Sequence, residues 1–237
     1  MPKKSNVRRR RPATTKRKRA SRGRAARKPL TKVLRTPGFP DRMMVQLNYV
    51  VNEGFAMDSA GTVNQGVVFQ SCLWKPSAHN SGHQPLWFDQ WALIYSRCRV
   101  KGMKYTITAT NDAFSQAIFM VRHQPVSSGE TSIQTIEERT DVRTRVLGPK
   151  SSGYDTHTFK GYMSVAKTLG VSPKTINADD KYAATTYSTS IPSNTAIPAS
   201  MAYLSTYHRC ANAGNMWFNA KITLYAELFD RISISGS

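Results

Sequence analysis

Before Asp41 the chain has no acidic residue, and before Phe39 no aromatic one. Residues 1–40 thus have almost no apolar area to set against roughly 1–2 kcal/mol of ordering entropy per residue, and they are expected to be disordered on their own. No apolar run of the roughly 18–20 residues needed for a membrane-spanning helix occurs, and no apolar stretch follows the charged start to form a secretory signal, so no membrane insertion is expected. Cysteine is scarce. Cys72, Cys98 and Cys210 are widely spaced without a Cys-x-x-Cys pair, and read as buried thiols of a cytosolic or nuclear protein rather than as a disulfide framework or zinc site.

Catalytic signatures are missing as well. Neither a P-loop nor a Gly-x-Ser-x-Gly elbow occurs. His79, His83, His123, His157 and His208 do not make the clustered His-x-His with a following Glu by which cupin-type enzymes hold a metal, and surface positions are expected for them. Glu137 with Glu138, and Asp179 with Asp180, are adjacent pairs. Such neighbours point to opposite faces of a strand or diverge by about 100° on a helix, so neither is an acid/base pair. No catalytic residue, metal or cofactor is expected, and the chain reads as a non-enzyme.

What the N-terminal stretch does have is positive charge. Sixteen of the 34 Lys and Arg residues lie in 1–40, which leaves 18 bases against all 14 acids in 41–237: about +16 for the arm and +4 for the body. The charge is placed, not spread. A solvated tail is the bland reading, and the length and purity of the run weigh against it. Membrane-surface anchoring fits poorly, because the arm's large aliphatics are only Val7, Leu30, Val33 and Leu34. Nucleic acid remains. Arginine-rich segments bind it by displacing condensed counterions, each neutralised phosphate adding affinity without reading sequence. The residues expected to bind are Arg8, Arg9, Arg10, Arg11, Lys16, Arg17, Lys18, Arg19, Arg22, Arg24, Arg27 and Lys28. The blocks 8–11 and 16–19 also match nuclear import signals, through the same residues.

The body, 41–237, reads as strands. Alternation marks 43–51, 67–74, 100–110, 117–123, 156–165, 199–209 and 216–231, with a shorter strand at 182–188. Tyr105, Ile107 and Ala109 should share a buried face, as should Ile222, Leu224, Ala226 and Leu228. Helical spacing of Trp87, Trp91, Ile94, Tyr95 and Cys98 predicts a short helix over 87–98, and 131–139 fits another, capped by Thr131 or Ser132. Gly54 and Gly61 should bracket a loop. Trp74, Trp87, Trp91 and Trp217 are expected in core or subunit contacts, while Lys101, Lys104, Lys160 and Lys167 on polar faces extend a basic surface. Crossover helices at regular intervals are absent. The expected fold is all-β: a single jelly-roll antiparallel β-sandwich of about eight strands, behind a disordered basic N-terminal arm.

The layout resembles the capsid proteins of small circular single-stranded DNA viruses, the circovirus-like (CRESS-DNA) group. The resemblance rests on the arginine-rich arm ending in a Pro/Gly segment, and on the block 88–111, FDQWALIYSRCRVKGMKYTITATN. There a tyrosine-bearing helix leads into a strand through a basic turn, here Val100, Gly102 and Lys104. The closing segment 221–231, KITLYAELFDR, looks like that family's last strand. Capsid proteins of small RNA viruses share much of the pattern. The resemblance implies a shell of about 60 self-associating copies with arms turned inward on single-stranded nucleic acid, DNA rather than RNA. It also implies nuclear entry through host import factors and a final place in the virion. The alternative is a cellular nucleic-acid-binding protein of ribosomal or chromatin type with a basic tail, against which the body's low charge weighs.

Overall fold

The computed structural model describes residues 39–58, 62–78, 83–130, 132–186 and 197–232. Among these residues nine strands and four short α-helices follow in order. They are β1 (Arg42–Met57), β2 (Asn64–Gln70), α1 (Phe88–Ala92), β3 (Tyr95–Asn111), β4 (Ala117–Gln124), α2 (Ile133–Glu137) and β5 (Val142–Leu147). After these come β6 (Thr156–Ser164), α3 (Val165–Thr168), α4 (Pro173–Ala178), β7 (Ala184–Thr185), β8 (Tyr203–Cys210) and β9 (Gly214–Arg231). One sheet has the order β1-β9-β3-β6, with β7 paired to the start of β3, and the other the order β2-β8-β4-β5. Every pairing is antiparallel. Each sheet sets an early strand beside a late one, β1 beside β9 and β2 beside β8. The chain thus winds back between the sheets as a jelly roll.

Alternation decides which sides face. Val45, Leu47, Tyr49 and Val51 of β1, Met103, Tyr105, Ile107 and Ala109 of β3, and Ile222, Leu224, Ala226 and Leu228 of β9 all point inward and are buried. Val67 and Phe69 of β2, Phe119 and Val121 of β4 and Leu204 of β8 meet them from the other sheet in one continuous core. Small residues sit beside large ones across the pairing, Ala220 opposite Ile107 and Ala226 opposite Val100. Burying each large side chain contributes about 1.5–3 kcal/mol.

The differences from expectation have local causes. The helix at 87–98 stops at Ala92, and Tyr95 and Cys98 belong to β3, which is 17 residues long. Their spacing reads as helical because both are buried although, three residues apart on an unbroken stretch of strand, they lie on opposite faces. The Val100, Gly102, Lys104 segment is no turn but strand interior with a bulge between Val100 and Gly102, where a Cβ on Gly102 would run into the Tyr162 hydroxyl. β1 runs through Gly54, read as a loop boundary, to Met57. The strand expected over 67–74 ends at Gln70, and that over 182–188 is the two-residue β7, with 187–188 outside the described residues. β5 is not marked by alternation, since four of its six residues are exposed and it forms the rim of its sheet. Helices α3 and α4, capped by Ser164 and Ser172, were also unforeseen. Ser132 does precede α2, without a capping hydrogen bond from its side chain.

Candidate nucleic-acid interface

All twelve arm residues expected to bind, Arg8 to Lys28, lie outside the described residues, as does everything else in 1–38. What is described is the place where the chain enters the sandwich. The buried Tyr95 donates its hydroxyl hydrogen to the Pro40 carbonyl at 2.7 Å, and Arg231 Nη1 donates to the Phe39 carbonyl at 2.9 Å. The Phe39 ring meets Trp91 edge-on at 6.4 Å. These contacts pin the entry to the end of the sheet where β1 and β3 begin and β9 ends.

Just inside that point lies a knot of charge. Phe229 has three guanidinium groups about its ring, those of Arg42, Arg97 and Arg99, at 5.9, 5.2 and 4.8 Å. Glu227 pairs with Lys101 at 2.7 Å, Arg42 at 3.6 Å and Arg99 at 3.7 Å. Burial alone would push the Glu227 carboxyl up, but the hydrogen bond and charge of Lys101, with Arg42 and Arg99, outweigh it and hold the carboxyl below its ordinary range. Arg97 bonds Asp180 at 2.7 Å and Asp230 at 3.6 Å. Four bases against three acids leave the knot at about +1, and Lys101, expected on a basic surface, is paired within the body.

The other lysines divide. Lys104 and Lys160 are exposed on the outward face of the β1-β9-β3-β6 sheet, and Lys221 of β9, which the sequence reading passed over, lies beside them. Lys167 instead borders a cleft of about 650 Å³ with His123, Arg143 and Tyr162. There His123 Nε2 lies 3.1 Å from the Tyr105 hydroxyl, and burial, then the charge of Arg143, push its pKa down. The reverse side of the second sheet is covered. Met120 and Tyr207 pack with Val63 and Ile136 in a smaller apolar cluster, and the buried Arg122 is held there by Glu130 at 2.9 Å and Asp141 at 3.4 Å.

Not every aromatic or histidine is where it was expected. Trp74 and Trp91 are half-buried against the core, whereas Trp87 and Trp217 are 62% and 57% exposed. His208 is buried, stacked on Phe55 at 5.3 Å, and among the described residues has no hydrogen-bond partner at either ring nitrogen. Period-2 alternation of β8 would have placed it inside. Among the described residues no three His, Cys, Asp or Glu side chains come together as a metal site.

No family model and no curated protein matches the chain. Solved structures of viral capsid proteins do resemble it. The decameric BFDV capsid protein superposes with a TM-score of 0.46 and 9% identity, covering 80% of this chain and 99% of that one. The same protein as a 60-mer gives 0.41 and 13%, over 84% and 100%. The Cocksfoot mottle virus chain gives 0.43 and 15%, over 81% and 97%. The jelly roll itself follows from this chain's own strand pairing.

Proposed function

We propose that the chain is a viral capsid protein. Its jelly roll forms the wall of a small icosahedral shell of about 60 copies, and its arm packages single-stranded nucleic acid, DNA before RNA, after entering the host nucleus through import factors that read the same basic blocks. The observation that carries this reading is the partition of charge: sixteen bases and no acid in 1–40, against a body of about +4. A protein that reads nucleic acid with its body carries its charge there, whereas one that walls off a polyanion needs it only on a segment reaching inward. With about 60 arms, the shell holds on the order of a thousand positive charges, which suits a genome of one or two thousand nucleotides with cations neutralising the rest.

Sedimentation of the full-length protein, with absorbance followed at 260 and 280 nm, tests it. The expected result is a particle of megadalton mass carrying nucleic-acid absorbance. A slow boundary near the 26.5 kDa of one chain, at low and high salt alike, would overturn the capsid reading and move the cellular nucleic-acid-binding protein to first place.

A further inference from the structure

We infer that the folded body holds part of the nucleic acid itself: the outward face of the β1-β9-β3-β6 sheet binds a single strand, with Lys104, Lys160 and Lys221 on phosphates and Trp217, Tyr162 and Tyr225 against bases. The inference rests on the packaging role proposed above and adds a second site to it.

Four observations converge on this face. First, it is bare. The reverse of the other sheet is covered by α2 and the apolar cluster around Met120, whereas here Gln46, Asn48, Lys104, Lys160, Lys221 and Trp217 are all exposed. Second, its charge has one sign. Lys221 pairs in register with Thr106, and Thr106 with Lys160, so the two lysines stand about 10 Å apart, two strand spacings. Lys104, two residues along β3, completes a triangle. None of the three makes an ion pair among the described residues. Of the carboxylates on these strands, Glu227 is already taken by Lys101, Arg42 and Arg99, and Asp230 by Arg97.

Third, the surface around the lysines is largely polar and tied down, with Met44 and Val50 of β1 as its exposed aliphatic residues. Thr223 donates to Asn48 at 2.8 Å, Thr108 and Thr158 lie 3.0 Å apart, Thr110 and Thr156 3.1 Å, and Asn219 bonds Asn52. A shallow depression of about 270 Å³ opens between Lys104 and Lys221. A second protein copy would want an apolar centre poor in lysine, and this face has the reverse; a strand of phosphates and flat bases matches it. Rings stand beside it: the exposed Tyr162 against the half-buried Tyr225 at 5.8 Å, and the exposed Trp217 further along β9. Fourth, Phe39 and Pro40, which follow the basic segment in the chain, are held at the end of this same sheet, and Asn48 beside the lysines lies six positions along β1 from Arg42, about 20 Å.

The test uses the full-length chain and an oligothymidylate probe. Binding is measured by fluorescence anisotropy from 50 to 200 mM salt for the wild type and for K104Q/K160Q/K221Q, whose exposed substitutions leave the fold intact by circular dichroism. Three lost phosphate contacts lower the slope of log K against log salt by about 2, so the variant loses roughly twentyfold less affinity than the wild type over that range. Photocrosslinking of the same complex is expected to mark Tyr162, Tyr225 or Trp217. An unchanged slope with crosslinks confined to 1–38 would overturn the inference while leaving the packaging role standing, and would assign the face to another copy of the chain. A wild type that does not bind the probe at all would sink both.

Discussion

Trp217 fills the space that a side chain at Gly54 would need. The two residues pair across β1 and β9, and a Cβ built on Gly54 would stand 2.9 Å from Cζ3 of the indole. Glycine in a strand usually weakens it, but here it admits a large ring from the partner strand, and the pairing continues to Met57. Gly54→Val should therefore displace the indole without unfolding the sheet. Acrylamide quenching of tryptophan fluorescence is expected to rise in G54V relative to wild type, with stability changed by about 1 kcal/mol or less. Equal quenching in both, with W217F as the reference for this one indole, would show that the ring does not depend on the glycine.

Burying the His208 imidazole without a partner makes stability depend on pH. Its pKa is pushed down to about 4 by desolvation, from an ordinary value near 6.5. The folded state therefore resists a proton that the unfolded chain accepts. This contribution is fully present above about pH 6.5 and is lost as pH falls toward 4, amounting to about 3 kcal/mol across that window. His123, whose pKa is also lowered, acts in the same direction. H208L should be at least as stable as wild type at pH 7, since it removes two unsatisfied nitrogens, and markedly more stable at pH 4.5. Urea unfolding at the two pH values measures this, and a difference between variant and wild type that stays constant with pH would refute it.

The core faces were legible because alternation is strict there. Ile107 of β3 and Leu224 of β9 are both fully buried. Replacing either with Asp puts an unpaired charge in the core at a cost of several kcal/mol, and the variant should be unfolded by circular dichroism. Native sheet content in either variant would mean the strand faces the other way.

Elsewhere the pattern was hidden for physical reasons. β5 has a partner on one side only and exposes Arg143, Thr144, Arg145 and Val146, so no inward row of apolar residues marks it. At the start of β3, Tyr95 and Cys98 are buried on opposite faces of the strand, and with Trp91 they fall into apparent helical spacing; the bulge after Val100 then breaks the two-residue period. The basic face was half visible. Lys104 and Lys160 stood out as lysines on polar strands, but Lys221 joins them only through the β9-β3-β6 register, a long-range pairing that periodicity cannot supply.

The arm and the body can be separated at a point the structure marks. Phe39 and Pro40 are held by Arg231, Trp91 and Tyr95, so a deletion of residues 1–35 removes all sixteen bases of the arm while sparing those contacts. The strand pairings that close the jelly roll run from Arg42 to Arg231, and the truncated chain is expected to keep native sheet content by circular dichroism. Nucleic-acid retention should fall away, because the slope of affinity against salt loses about 0.7 for each phosphate no longer neutralised, and the arm supplies most of them. Particles that still form should sediment as empty shells, with the 260 to 280 nm absorbance ratio of protein alone. Because K104Q/K160Q/K221Q acts on the sheet face alone, the two variants divide the binding between arm and body. A truncated protein that retained nucleic acid at the wild-type level would move the whole of packaging to the sheet.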